Sequence, residues 1–208
     1  MLLSKIADIA LPQYCVGCNT EGSLLCTLCR QKIHHTRPTK WPPYKGLGTL
    51  VALGVFKSPL REAIHSLKFN SVKALATPIA QELALLCQKK HLPKGIITPI
   101  PLSQDRLRVR GYNQSALVAK KLALMLGWHY LETLKRWQRR PSQAKLKRAE
   151  RLKNVQGVFL CRYNLSKNHL PIYLLDDVIT TGATLCSATQ ALKESGAREV
   201  RPIAIARD

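Results

Sequence analysis

Acidic residues are scarce in this 208-residue chain: 12 Asp or Glu stand against 33 Lys or Arg, a formal net charge of +21. That magnitude is well above the roughly 2–8 typical of small soluble domains, so the imbalance calls for an anionic partner. No run approaches about 18 uncharged apolar residues, which excludes a transmembrane helix. The first ten residues are broken by Lys5 and Asp8 and lack a sustained apolar core and a small-residue cleavage site, so no signal peptide is expected. No internal repeat is visible, which argues against a solenoid. None of the 11 glycines falls in a G-x-x-x-x-G-K-[ST] loop, which excludes a P-loop ATPase. Hydrophobic residues nevertheless make up 46% of the chain, enough for a core and too many for a disordered basic tail. The length fits one domain, or one domain with a small appendage. Nucleic acid, acidic lipid headgroups and phosphorylated small molecules are the partner classes that remain.

Seven cysteines cannot all pair, and four of them are spaced for a metal. Cys15-Val16-Gly17-Cys18 and Cys26-Thr27-Leu28-Cys29 form C-x2-C-x7-C-x2-C. Four thiolates at this spacing can close a tetrahedron around zinc, which suits soft sulfur ligands without redox demand. Gly17 supplies the permissive backbone that a tight knuckle needs. Buried free cysteines would not cluster in this way, and a redox C-x-x-C would be expected within a βαβ unit. With four protein ligands the metal would be structural. Cys87, Cys161 and Cys186 sit in apolar settings and read as core residues. This cysteine usage points to a reducing cytoplasm.

A Pro/Gly-rich stretch from Thr36 to Gly48 follows and reads as a boundary. Residues 1–40 are expected to form the zinc-binding region and 41–208 the main domain. Thr49 to Phe56 reads as a strand. Leu60, Ile64 and Leu67, then Leu75, Ile79, Leu83 and Leu86, recur at helical spacing. Ile96 to Ile100 is a short buried strand, and Asn113 to Leu126 is a helix closed by Gly127. Tyr130 to Leu134 and Gly157 to Cys161 are weaker strand candidates. Ile172-Tyr173-Leu174-Leu175 is a continuous apolar run, as expected of a central parallel strand. Thr184 to Ser195 is a helix ended by Gly196, and Val200 to Ala206 is a last strand. Alternating strands and helices predict an α/β domain with a mostly parallel sheet flanked by helices.

The segment Tyr173-Leu174-Leu175-Asp176-Asp177-Val178-Ile179-Thr180-Thr181-Gly182-Ala183-Thr184 carries the most chemistry. An apolar strand is expected to end in two carboxylates, and a Thr/Gly loop then opens a helix. Ligands of open α/β sheets bind at that strand edge. Thr180, Thr181, Gly182, Ala183 and Thr184 offer backbone N–H groups and hydroxyls at a helix N-terminus, an anion site. Gly182 lets the backbone approach a phosphate closely. Ionised Asp176 and Asp177 only accept hydrogen bonds and so suit the paired hydroxyls of a ribose. A Walker-B-like strand also places apolar residues before Asp-Asp, but its phosphate loop is missing. A structural Asp-capped helix does not account for Asp-Asp and Thr-Thr-Gly together.

This segment resembles the ribose-phosphate signature of type I phosphoribosyltransferases, which bind phosphoribosyl pyrophosphate (PRPP). Thr98-Pro99-Ile100-Pro101-Leu102 is followed by Arg106, Arg108 and Arg110-Gly111-Tyr112-Asn113-Gln114, and further on by Gln143, Arg148, Arg151, Asn154, Gly157 and Phe159. Together with the four-cysteine knuckle, the whole is similar to the ComF, or GntX-like, family of competence proteins, from about Leu11 to Ala206. The resemblance implies a type I phosphoribosyltransferase fold with an N-terminal four-cysteine zinc finger, and a role in DNA uptake during natural transformation. It implies that Asp176 and Asp177 hold ribose and that the loop from Thr180 to Thr184 holds the 5-phosphate. The turn from Pro99 to Leu102 and the arginines after it, Arg106 and Arg110 foremost, would lie near pyrophosphate. Guanidinium groups match phosphate oxygens bidentately. Lys68 and Phe69 also occupy family-like positions. A competence helicase is an implied partner, and magnesium would arrive with PRPP, held mainly by the substrate's own oxygens.

Residues 105–153 hold fourteen Lys or Arg against three Asp or Glu. The densest run contains Lys135, Arg136, Arg139, Arg140, Lys145, Lys147, Arg148 and Arg151. A flexible basic loop is expected there, over about 135–156. It could act as a cationic lid over departing pyrophosphate. It could equally be a track for single-stranded DNA, with Trp137 available for stacking. A solvated face is the blander alternative, but a single-sign run repels itself. Membrane-surface binding fits less well, because apolar positions are sparse here. Two functions follow: a phosphoribosyltransferase that displaces pyrophosphate from PRPP, its acceptor unnamed, or a non-catalytic nucleic-acid-binding adaptor that retains the fold.

Overall fold

A computed structural model describes residues 13–33, 49–136 and 158–208. A short helix α1 (Thr27–Gln31) closes the cysteine knuckle. The chain then runs through β1 (Val51–Val55), α2 (Leu60–Phe69), a 3-10 turn at Lys73–Leu75, α3 (Ala76–Lys89) and β2 (Ile96–Pro99). It continues as α4 (Gln104–Arg110), α5 (Gln114–Leu126), β3 (His129–Tyr130), β4 (Leu134–Arg136) and β5 (Phe159–Cys161). It ends in β6 (Ile172–Ile179), α6 (Ala183–Glu194) and β7 (Val200–Arg207).

Five strands form one parallel sheet in the order β1-β7-β6-β2-β3. β4 and β5 form a separate antiparallel pair, with Lys135 opposite Leu160. β6 is central, and its apolar run is continuous because both faces of the sheet are covered. Alternate residues serve opposite faces. Tyr173, Leu175, Val51, Leu53, Ile203 and Ile205 pack on the side of α2, α3 and α5. Ile172, Leu174, Leu50, Ala52 and Ala204 pack with Leu185, Ala188 and Leu192 of α6. Cys15, Leu25, Cys29 and Ile33 of the knuckle join the first of these cores.

The strand and helix expectations hold in kind, with four differences. The single strand expected over Tyr130 to Leu134 is instead the end of β3 at Tyr130 and the start of β4 at Leu134, in two different sheets, with residues 131–133 between them in no strand. β6 runs on to Ile179, so the two carboxylates lie within the strand and not at its end. The cause is β7, whose own length carries the pairing on: Asp176 aligns with Ala204, Val178 with Ala206 and Ile179 with Arg207. Helix α4, over the arginines that follow the Pro101 turn, was not legible. It buries no residue, so no apolar stripe marks it. Ser103 caps it by accepting from the Arg106 N–H at 3.4 Å, and Gly111 ends it in the left-handed region with φ 76°. Fourth, Lys135 and Arg136 belong to strand β4, so the basic loop expected over about 135–156 cannot begin before residue 137. Residues 34–48, where the boundary was expected, and 137–157 lie outside the described residues.

Candidate functional site

Strand alternation decides where the two carboxylates go. Asp177 shares the face of Tyr173 and Leu175, toward α2 and α5, whereas Asp176 shares the opposite face with Ile172 and Leu174. Asp177 is buried, and both its oxygens are engaged. Lys68 Nζ of α2 pairs with Oδ1 at 2.6 Å, and Gln114 Nε2 of α5 donates to Oδ2. Gln114 Oε1 in turn accepts from Arg110, whose guanidinium lies 5.3 Å from the Phe69 ring centroid. Asp176 is partly exposed and accepts the Asp177 backbone N–H on Oδ1 at 2.8 Å. Burial, and then the adjacent Asp177 carboxylate, push Asp176 up to about 7, against the pull of Lys68 and Arg136. One carboxylate is thus tied into the protein, and the other is poised between its charged and neutral forms.

Both carboxylates line one pocket of about 750 Å³. Thr180 and Thr184 lie beside them, and the turn at Ile100, Pro101 and Leu102 forms another wall. That turn is fixed by Ile100, whose N–H donates to Leu175 O at 2.9 Å, and by Asn113 Nδ2, which donates to Ile100 O at 2.9 Å. Arg106, Arg110 and Arg136 also border the pocket. The surrounding protein, and then Arg106, lower Arg136 from its ordinary value, while Asp176 acts to raise it. The pocket therefore combines carboxylates on the strand with cations from α2, α4 and β4, the polarity needed for a sugar that carries phosphates.

A smaller recess of about 30 Å³ is bounded by Asp176 and the whole loop from Thr180 to Leu185. Gly182 caps α6 in the left-handed region with φ 73°, a conformation that a Cβ would strain. The Ala183 N–H approaches Thr181 Oγ1 at 3.5 Å. Thr180, Thr181, Gly182, Ala183 and Thr184 are thus brought together with Asp176. Arg106 and Arg110 line the larger pocket, to which Thr180 and Thr184 also contribute. Two pocket residues were missed as such. Gln114 lies in a quoted motif, but only the tertiary fold aims it at Asp177. Arg136 was assigned to DNA because its sequence neighbours are basic. Of the residues expected to bind DNA, Lys135 is exposed on β4, and Arg139, Arg140, Lys145, Lys147, Arg148 and Arg151 lie outside the described residues.

The cysteine cluster lies apart from this pocket. The Sγ atoms of Cys15, Cys18, Cys26 and Cys29 are all within 4.8 Å of one another, with Cys18 and Cys26 at 3.6 Å. A tetrahedral zinc with Zn–S bonds of about 2.3 Å needs sulfurs about 3.8 Å apart. Backbone N–H groups support the sulfurs: Cys26 donates to Cys15 Sγ at 3.4 Å and Cys29 to Cys26 Sγ at 3.5 Å. Hydrogen bonding from Thr20, side chain and then backbone, lowers Cys18 to about 6. Burial and the neighbouring thiols push Cys29 up. A Cβ at Gly17 would meet Cys29 Sγ at 2.9 Å and Pro59 Cβ at 2.5 Å, so only glycine fits that turn. The donor set fits a metal such as zinc, and with four protein ligands it would be structural. Cys87 is buried, while Cys161 and Cys186 are only partly so. Burial raises Cys87 to about 12 and Cys186 to about 11, away from nucleophilic range. Among the described residues, no helix is long and apolar enough to cross a membrane.

No family model matches the chain. Individual proteins do. The chain is 32% identical over 185 residues to the DNA utilization protein YhgH of Salmonella typhi, covering 86% of this chain and 76% of that protein. It is 32% identical to competence protein F of Haemophilus influenzae, over 76% of this chain and 72% of the other. It is 37% identical to competence protein ComFC of Streptococcus pneumoniae, over 75% and 67%. Among solved structures, the adenine phosphoribosyltransferase of Leishmania tarentolae is 15% identical with a TM-score of 0.42, over 69% of this chain and 75% of that one. The glutamine PRPP amidotransferase of B. subtilis is 19% identical with a TM-score of 0.43, over 62% and 26%. Sequence identity at this level over most of the chain shows that it belongs to the ComF family of competence and DNA-utilization proteins.

Proposed function

We propose that this chain binds PRPP in the pocket above β6 and acts on it in the handling of incoming single-stranded DNA. The observation that carries the reading is the gathering of charge: Asp176, Asp177, Thr180 and Thr184 line one pocket together with Lys68, Arg106, Arg110 and Arg136, and the Thr180–Thr184 loop with Asp176 bounds a small recess of its own. The loop recess suits the 5-phosphate. Asp176 suits a ribose hydroxyl, as acceptor when ionised and as donor when neutral. Asp177 reaches the sugar only through capacity left over from Lys68 and Gln114, so it positions the site as much as it binds. The arginines suit the pyrophosphate.

The reaction we propose is displacement at C1 of the ribose. An acceptor atom bonds to C1 as the bond from C1 to pyrophosphate oxygen breaks, and the arginines stabilise the departing charge. No protein nucleophile is needed, and none of the cysteines lines the pocket. Magnesium, held by the substrate's own oxygens, would supply further charge neutralisation. Zinc on Cys15, Cys18, Cys26 and Cys29 would fix the knuckle and take no part in the chemistry. A second reading is a non-catalytic adaptor. It is favoured by one observation: both oxygens of Asp177 are already engaged by the protein.

Incubation with PRPP and magnesium, with single-stranded DNA and nucleosides as acceptors, tests the proposal by pyrophosphate release. Release that depends on an acceptor supports transfer. Binding of PRPP without release across acceptors supports the adaptor, and absence of PRPP binding contradicts transfer and leaves an adaptor that retains only the fold.

A further inference from the structure

Lys68, Asp177, Gln114 and Arg110 are linked one to the next, and all four line the first pocket. Lys68 Nζ pairs with Asp177 Oδ1 at 2.6 Å, its one hydrogen-bond partner among the described residues. Gln114 donates its amide N–H to the other carboxylate oxygen and accepts from Arg110 on its own oxygen. The Arg110 guanidinium returns to α2, 5.3 Å from the ring centroid of Phe69, the residue next to Lys68. Two of the cations suited to pyrophosphate are therefore held on internal partners, and one of them covers a carboxylate oxygen suited to ribose. The backbone beneath these side chains is fixed. The Tyr112 hydroxyl donates to Leu67 O at the end of α2, and the Asn70 and Val72 N–H groups both donate to Ser66 O at 3.2 Å. Asn113 caps α5 just before Gln114 by accepting from Ser115 and Ala116. Rearrangement here is thus confined to side chains, and Lys68 has a flexible four-carbon stem and three donors.

We infer that Lys68 sets the specificity of this site: it latches Asp177 until the pyrophosphate end of the ligand draws it away, so the site takes PRPP and refuses ribose 5-phosphate alone. The inference rests on the PRPP reading of the pocket. The two paired side chains are only 18% and 11% exposed, and a charge-assisted bond in such a place does not yield to a neutral hydroxyl. Ribose by itself therefore finds Oδ1 occupied. Pyrophosphate carries more negative charge than one carboxylate and competes for Nζ. Once Nζ turns to it, Oδ1 is left without its cation in a partly desolvated place, which is costly unless another donor replaces it. A ribose hydroxyl is such a donor. Gln114, itself buried, keeps Oδ2 and holds the carboxylate in place through the exchange. Phosphate charge at one end of the ligand thus strengthens sugar binding at the other. Two anions bound side by side on a passive site would instead repel each other.

Calorimetry with the two halves of the ligand tests the latch. The full wild-type chain is titrated with ribose 5-phosphate, alone and under saturating inorganic pyrophosphate, in EDTA so that no magnesium bridges the two. Pyrophosphate should tighten ribose 5-phosphate by about fivefold or more, the lower end of ordinary coupling between sites. Lys68→Met keeps the length of the side chain without its charge and should lose that gain, with circular dichroism melts to check its fold. Should that variant prove too unstable to assay, the wild-type titration decides alone. Ribose 5-phosphate affinity that pyrophosphate leaves unchanged or weakens would overturn the latch. So would a folded Lys68→Met that keeps the gain. A wild type that binds PRPP without showing the gain loses only the latch. One that binds neither PRPP nor ribose 5-phosphate loses the phosphoribosyl reading as well.

Discussion

Replacing Asp176 with Asn should stabilise the unliganded protein, and the gain should depend on pH in a specific way. Burial and the adjacent Asp177 push this carboxyl from an ordinary 3.8 up to about 7. Each unit corresponds to about 1.4 kcal/mol, so holding Asp176 ionised in the folded state costs at most about 4 kcal/mol. The side chain opens to pocket water, which screens it, and about 2 kcal/mol is the working figure. The folded protein retains a proton that the unfolded chain gives up above pH 4, so wild-type stability falls as pH rises from about 4 to about 7 and is level beyond. Asn carries no such proton. Its Oδ1 can still accept the Asp177 N–H that Asp176 accepts at 2.8 Å. The advantage of Asp176→Asn should therefore be small near pH 4, grow to pH 7 and stay constant to pH 8.5. For a chain of this length, about 2 kcal/mol corresponds to a Tm rise of about 4–8 °C. Circular dichroism melts across this pH range measure it. A gain that is the same at pH 4 and pH 8, or a loss at pH 8, would refute the electrostatic reasoning.

Two further outcomes follow from the same geometry. Asn113→Ala removes the side chain that caps α5 through Ser115 and Ala116 and ties down Ile100. It should cost about 1–2 kcal/mol in urea unfolding, and PRPP affinity should fall as the Pro101 turn loosens. Purified protein should carry zinc measurable by emission spectrometry. Cys18→Ser should lose it and lower the Tm, because Cys15, Leu25 and Cys29 of the knuckle pack into the main core.

The sequence made the frame of the fold legible wherever burial leaves a periodic trace. The run Ile172–Leu175 could be read as a central strand because both its faces are covered, and helix α5 because Asn113 and Gly127 bracket it. Helix α4 left no trace, since its charged residues bury nothing and only its caps define it. The pairing of β4 with β5 joins short segments across the basic stretch, and no local pattern marks such a contact. The site was legible as a set of residue types but not as a division of labour. Asp176 and Asp177 are neighbours in sequence, and strand alternation sends them to opposite faces. The partners that then separate their roles, Lys68 and Gln114, come from helices distant in the chain. Arg136 was hidden among neighbouring cations, although the fold sets it on the wall of the pocket.

Calorimetric titration with PRPP and magnesium, of the wild type and of Asp177→Asn, tests the central claim most directly. Asn keeps the size of the side chain but removes the charge that organises Lys68 and Gln114. Saturable binding by the wild type, with affinity at least tenfold weaker in a folded variant, is the result predicted here. A wild type that shows no saturable binding, or a variant that binds as tightly as the wild type, would contradict the assignment of this pocket.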